Sequence, residues 1–204
     1  MADAAQKLMT VEEFLIWCLN QEDRWELVDG VPIPLYEERW EVVEGVRTKM
    51  MIGASSAHDR IVINVIRELS IQLRGTRCSP TTADVGLRTR PRGIRRPDVT
   101  VTCDQPRRDV YESNDPKMSV EVLSPSNKGI RWQRKLEEYR LRDGLHYILL
   151  IASDEAKATV ISRSGEAWTP SDFDGRDGII ELPAIGCKLA MAEIFDGLEF
   201  ADEA

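Results

Sequence analysis

At 204 residues, with 42% hydrophobic and 30% charged residues, the chain can bury one sizeable core and has the make-up of an ordinary globular domain. A net charge of −8 disfavours a protein that coats nucleic acid with its whole surface, and no apolar run reaches the roughly 18–20 residues of a membrane helix. Cys18, Cys78, Cys103 and Cys187 form no CxxC pair, and two histidines cannot build a His-rich centre. Neither a zinc site nor disulfides are therefore expected. Any metal would be held by oxygen, which points to Mg²⁺ or Mn²⁺. The opening "MADAAQKLMT" lacks the basic and apolar segments of a signal peptide, so a cytoplasmic protein is expected.

In chain order, "TVEEFLIWCLNQ" (10–21) predicts a helix opened by a Thr10/Glu13 capping box. "RWELVDGVPIPL" and "RWEVVEGVRTKMM" predict strands and turns, and their echo suggests a small hairpin. "SSAHDRIVINVIRELSIQLRG" (55–75) is an amphipathic helix with Ile61, Val65, Leu69 and Leu73 on one face and Gly75 closing it. "CSPTTADVGLRTRPRGIRRPDVTVTC" reads as two strands joined by an Arg/Pro/Gly loop, and "KMSVEVLSP" as a third. "SNKGIRWQRKLEEYRLRDG" is a helix and "LHYILLIA" a buried apolar strand. "KATVISRS", "EAWTP" and "GIIELPAIG" form a C-terminal β-meander before a short helix in "LAMAEIFDGL". This order describes one domain, residues 1–204, of the α/β (α+β) class: a mixed β-sheet flanked by helices.

Two strands carry carboxylates that burial should exclude unless they are paired or bind a metal. In 98–102, Val99 and Val101 share one face, so Asp98 lies opposite with Thr100 and Thr102. In 119–123, Val120 and Val122 share a face, with Glu121 opposite. Consecutive strands usually neighbour one another, which lets Asp98 and Glu121 meet. In the following helix, Trp132, Leu136 and Tyr139 make the buried stripe, and Lys135 lies about 60° from Trp132 at its edge. Its ammonium can reach the sheet while its stem covers apolar surface. Two carboxylates and a lysine suit a divalent cation beside a water or a phosphate oxygen. Charge is also uneven: Arg88, Arg90, Arg92, Arg95 and Arg96 crowd just before Asp98, and Arg131 lies in the later helix, while the ends of the chain are acidic.

"RRPDVTVTC", "SVEVLSPSN", "RKLEEYR" and "HYILLI" resemble the Uma2 (DUF820) family, whose members have the restriction-endonuclease-like PD-(D/E)xK fold. "TVEEFL", "RWELVDG", "AHDRIVINV" and "LPAIGCKLAMAEIF" extend the likeness over nearly the whole chain. The resemblance implies that Asp98 and Glu121 bind Mg²⁺ (or Mn²⁺) with the main-chain carbonyl of Val122. The superfamily's lysine position is Leu123 here, and the family's displaced lysine matches Lys135. Glu26 resembles an acid that completes the metal site through water, with Glu41 of the echoing motif as its rival. His58 is expected to be structural or to face substrate. Ile151 replaces the acid that relatives tend to carry at the end of "HYILLI".

The resemblance and the triad imply a metal-dependent endonuclease hydrolysing the phosphodiester bonds of nucleic acid, most readily DNA. Catalysis would rest on Asp98, Glu121 and Lys135, and Arg88, Arg90, Arg92, Arg95, Arg96 and Arg131 would hold backbone phosphates. The alternative is a binding or interaction protein that keeps the fold without turnover. A third is a hydrolase of small nucleotides. A homodimer would suit cleavage of both strands, and no membrane partner is expected.

Overall fold

The computed structural model describes residues 8–21, 23–35, 39–43, 46–50, 55–124 and 130–200, with backbone alone at 39–43, 46–50, 130 and 131. Helix α1 (Val11–Cys18) starts with the expected box: Glu13 N–H donates to Thr10 Oγ1 at 3.1 Å, and Thr10 N–H to Glu13 Oε2 at 2.9 Å. It lays Val11 and Phe14 on Leu27 and Ile94. Strands β1 (Trp25–Val28) and β2 (Val31–Pro34) form a hairpin on Asp29 and Gly30, both with positive φ. That is the turn whose twist matches paired strands. Gly30 is also required by space, because a Cβ there would stand 2.9 Å from Leu8 Cβ and 3.0 Å from the Met9 carbonyl. The second RWE motif makes its own hairpin, β3 (Arg39–Val43) with β4 (Val46–Met50), and does not pair with the first.

Helix α2 (Ser56–Gln72) is capped by Ser55, whose hydroxyl accepts His58 N–H at 3.2 Å. Its stripe of Ile61, Val65 and Leu69 is wholly buried. At about 1.5–3 kcal/mol for each such side chain, this stripe is the main force seating the helix.

The Arg-rich stretch corrects the two-strand expectation, for it folds as four strands: β5 (Ser79–Thr82), β6 (Gly86–Arg90), β7 (Gly93–Arg95) and β8 (Val99–Thr102). Between them lie tight turns, because the Pro91–Arg92 pair reverses the chain directly instead of looping out. Strand β6 also pairs with a two-residue strand, β9 (Glu112–Ser113). Then follow β10 (Pro116–Leu123), α3 (Ile130–Arg140), β11 (Tyr147–Ala152), β12 (Lys157–Ser164), β13 (Ala167–Asp174), β14 (Ile179–Leu182), β15 (Cys187–Ala190) and α4 (Met191–Ile194).

Two sheets result. A six-stranded one runs β13-β12-β11-β10-β8-β5, and a five-stranded one runs β2-β1-β7-β6-β9. In the larger sheet β10 is parallel to β11 and antiparallel to β8, and β11, β12 and β13 form a meander, whereas β14, expected to continue it, pairs with β15 instead. One face, with Val99, Val101, Val120, Val122, Leu149 and Ile151, packs on α2, α4 and the β14–β15 hairpin. The other packs on α3 through Tyr139, Leu145, Ile148 and Ile161, joined by Leu87 of the smaller sheet. Helix α3 is thus clasped between the two sheets.

Cys78 and Cys103 are disulfide-bonded, against expectation. The pairing of Ser79 with Thr102 at the end of β5 and β8 sets the two cysteines opposite each other, with Cα atoms 3.9 Å apart. Spacing along the chain could not reveal this register. No described helix is long and apolar enough to cross a membrane.

Candidate active site

Strand phase decides what meets at the end of β8 and β10. Val99 pairs with Val120, so Asp98 and Glu121 adjoin at the strand ends, Glu121 meeting Lys135 and Tyr139 of α3 and Asp98 meeting His58 of α2. Asp98 is pinned through one oxygen: its Oδ2 accepts the Val122 N–H at 2.8 Å and lies 3.3 Å from His58 Nε2. In an extended strand the N–H and C=O of one residue face the same edge, so the Val122 carbonyl faces Asp98 too. Glu121 is also held by one oxygen. Its Oε1 receives Lys135 Nζ at 2.7 Å and the Tyr139 hydroxyl at 2.5 Å. Asp98, Glu121, Val122 and Lys135 are thereby brought together.

The electrostatics follow from burial. Burial pushes the Glu121 carboxyl up to about 7; Lys135 pulls it down, and the Asp98 charge pushes it further up. Although burial works against it, the Lys135 ammonium is held above its ordinary range by Glu121 and Glu26. Burial also opposes the charged form of His58, yet the hydrogen bond and charge of Asp98 raise it above the usual histidine value. Two carboxylates facing each other, one destabilised in its charged form, are what a cation would relieve.

The donors are hard oxygens: two carboxylates, each with a second oxygen beyond its pinned one, and a main-chain carbonyl. Mg²⁺ is commonly held by only one or two carboxylates while keeping several waters, so these residues fit such an ion. Among the described residues there is no cluster of three or more histidines, cysteines or acids of ligating geometry. Among the described residues, Asp98 and Glu121 are the acids that would hold a cation here.

Glu26 does not present a free oxygen. Its Oε1 accepts the Arg96 N–H at 2.8 Å and lies 3.4 Å from Lys135 Nζ, and its Oε2 lies 3.0 Å from Arg95 Nη1. Burial resists its charge, but Lys135 and Arg95 hold the carboxyl below the usual range. Its contacts favour the role of counter-charge to Lys135 over that of a water-bridged ligand. The Glu41 side chain lies outside the described residues.

The guanidinium groups of the arginine cluster divide by their partners. Arg95 is 6% exposed and grips Glu138 with two bonds of 2.8 Å, while Thr89 Oγ1 donates to the same carboxylate at 3.1 Å. Arg96 donates to the carbonyls of Trp25, Ala83 and Asp84. Arg88 clamps Glu112 and reaches Glu12. These three guanidinium groups hold the small sheet together. Arg90 is half-buried and Arg92 exposed at the β6–β7 turn. The Arg131 side chain lies outside the described residues. Arg134 of α3 meets Arg90 at Asp29.

A family model described as "Uma2: Putative restriction endonuclease" matches residues 34–192. The chain belongs to the Uma2 family. No curated protein matches it. Among solved structures, it is similar to a chain titled as a "putative nuclease belonging to DUF820" from Anabaena variabilis ATCC 29413, with 19% identity and a TM-score of 0.59. The similarity covers 92% of this chain and 97% of the other. The shared architecture is the restriction-endonuclease-like fold.

Within this Uma2 chain the ammonium that an ExK motif would place at position 123 is brought instead by α3, and Leu123 is a half-buried strand end. Tyr139 was legible only as part of the buried stripe of α3. Its hydroxyl partner, 18 residues earlier, could not be read from helical spacing.

Proposed function

We propose that the protein is a metal-dependent endonuclease that hydrolyses phosphodiester bonds of nucleic acid, most readily DNA. The observation that carries this reading is the pair of carboxylates, each held through one oxygen, with Lys135 bonded to one of them. Asp98, Glu121 and the Val122 carbonyl would hold Mg²⁺ or Mn²⁺. Such an ion, when bound, polarises a scissile phosphate and lowers the pKa of a bound water. Lys135 stays protonated between Glu121 and Glu26 and would stabilise charge gathering on the phosphate oxygens. Arg90, Arg92 and Arg134 are exposed or half-exposed, and they would bind backbone phosphates without reading sequence. Cutting both strands would call for two sites, hence a homodimer on DNA.

Two expected outcomes test the reading. Calorimetric titration should find Mn²⁺ binding in the wild type and none in Asp98→Ala. Metal-dependent cleavage should likewise vanish in Asp98→Ala, and unchanged cleavage in that variant would sink the proposal. The rival, a binding or interaction protein that keeps the fold without turnover, draws support from the net charge of −8 and from the lysine displaced from the ExK position. It expects neither cleavage nor Mn²⁺ binding from the folded protein.

A further inference from the structure

We infer that Tyr139 is a positioning residue for Glu121: together with Lys135 it fixes Oε1, so that Oε2 is the oxygen offered to a divalent cation. This inference rests on the proposed metal-dependent reading. Tyr139 is fully buried among Leu87, Leu145, Ile148 and Ile161. A phenol in such surroundings is costly unless its hydroxyl is satisfied, and the partner it finds is the Glu121 carboxyl oxygen Oε1 on β10. Lys135 and Tyr139 stand four residues apart on α3, on one face of the helix. Both donate to the same atom, at 2.7 and 2.5 Å. With Oε1 doubly held, the carboxylate cannot exchange its oxygens without breaking two bonds. Glu121 Oε2 has no protein partner among the described residues.

Asp98 repeats the arrangement, with Oδ2 bonded to the Val122 N–H and beside His58. Each acid is thus oriented by two groups that are not themselves proposed as ligands through those contacts. Hydrogen bonds to ligating carboxylates commonly change metal affinity 10–100-fold when removed. A Tyr139→Phe change keeps the ring in the apolar cluster and removes only the donor to Oε1.

The test is calorimetric titration of Mn²⁺ into the wild type, Tyr139→Phe and Leu145→Ala, with melting curves for all three. Leu145 shares the apolar cluster of Tyr139. The expected result is wild-type binding, about tenfold or greater weakening in Tyr139→Phe with a Tm within a few degrees of wild type, and wild-type affinity in Leu145→Ala despite a lower Tm. Equal affinity in wild type and Tyr139→Phe would overturn the inference and leave the nuclease reading standing. Equal weakening in both variants would also overturn it, because lost packing would then suffice. A folded wild type that binds no Mn²⁺ would remove the metal reading and this inference with it.

Discussion

Single residues carry most of the cost and most of the specificity of this molecule, because five charged side chains share one buried seam. Glu121, Lys135, Glu26, Arg95 and Glu138 run in sequence from β10 to α3, across the small sheet and back to α3. Removing one member leaves its partners buried and uncompensated. Arg95→Met should therefore destabilise by about 3–5 kcal/mol, a fall in Tm of roughly 10 °C for a chain of this size. A Tm within 2 or so degrees of wild type would mean that the guanidinium is dispensable.

The same seam sets opposite pH dependences. The Glu138 carboxyl is held below its ordinary range, since Arg95 outweighs burial. Its stabilising contribution is full above the ordinary carboxylate pKa, about 4.3, and is lost as pH falls through the lowered value. The Glu121 carboxyl is pushed up to about 7, so its protonated form is the one the fold favours. Its contribution is greatest at low pH and disappears as pH rises through about 7. In EDTA, Glu121→Gln should gain stability relative to the wild type as pH rises from 4 to 8, as differential scanning calorimetry can check. A difference in Tm between variant and wild type that stays constant over that range would contradict this.

The site was legible in part. Phase within two strands and one helix was enough to bring Asp98, Glu121 and Lys135 together. The fate of Arg95 was not legible, because Gly93–Ile94–Arg95 is too short for a period-2 pattern. Next to Pro91 and Arg92, its guanidinium looks solvated.

At the scale of elements, long periodic segments were readable and short strands were not. Helix α2 fills the expected stripe within three residues at its end. The Arg-rich stretch yielded β5 to β8 where only two strands were expected, since two- and three-residue turns leave no composition signal between them. The Cys78–Cys103 bond belongs to this scale, for it ties the edge strand β5 to β8, which begins next to Asp98. It closes a loop over a sequence separation of 25, which in the loop-entropy view contributes roughly 3 kcal/mol. Thiol counting on the unreduced, denatured protein should find only Cys18 and Cys187 free. Reductant should lower Tm in the wild type and leave Cys78→Ser unmoved. Four reactive thiols would show that the pair is reduced as isolated.

Across the whole molecule, the two sheets clasp α3 so that a lysine from a helix can serve a carboxylate from a strand. The larger sheet ends in β13, which is largely exposed and carries Pro170 and two aspartates, devices that discourage edge-to-edge pairing. The smaller sheet supplies no carboxylate with a free oxygen to the site, but through Glu26 it keeps Lys135 charged. The order of secondary structure and the Uma2 motifs made this architecture legible in outline. Its clasped form was not legible, because it depends on which face of the small sheet Arg95 and Glu26 occupy.

The most direct test is cleavage of single- and double-stranded DNA and RNA by the purified protein in Mg²⁺, Mn²⁺ or EDTA, beside Glu121→Ala. The expected result is cleavage, of DNA above all, that needs the metal and is absent from the variant. Cleavage that persists in EDTA, or equally in Glu121→Ala, would contradict a reaction centred on Asp98 and Glu121.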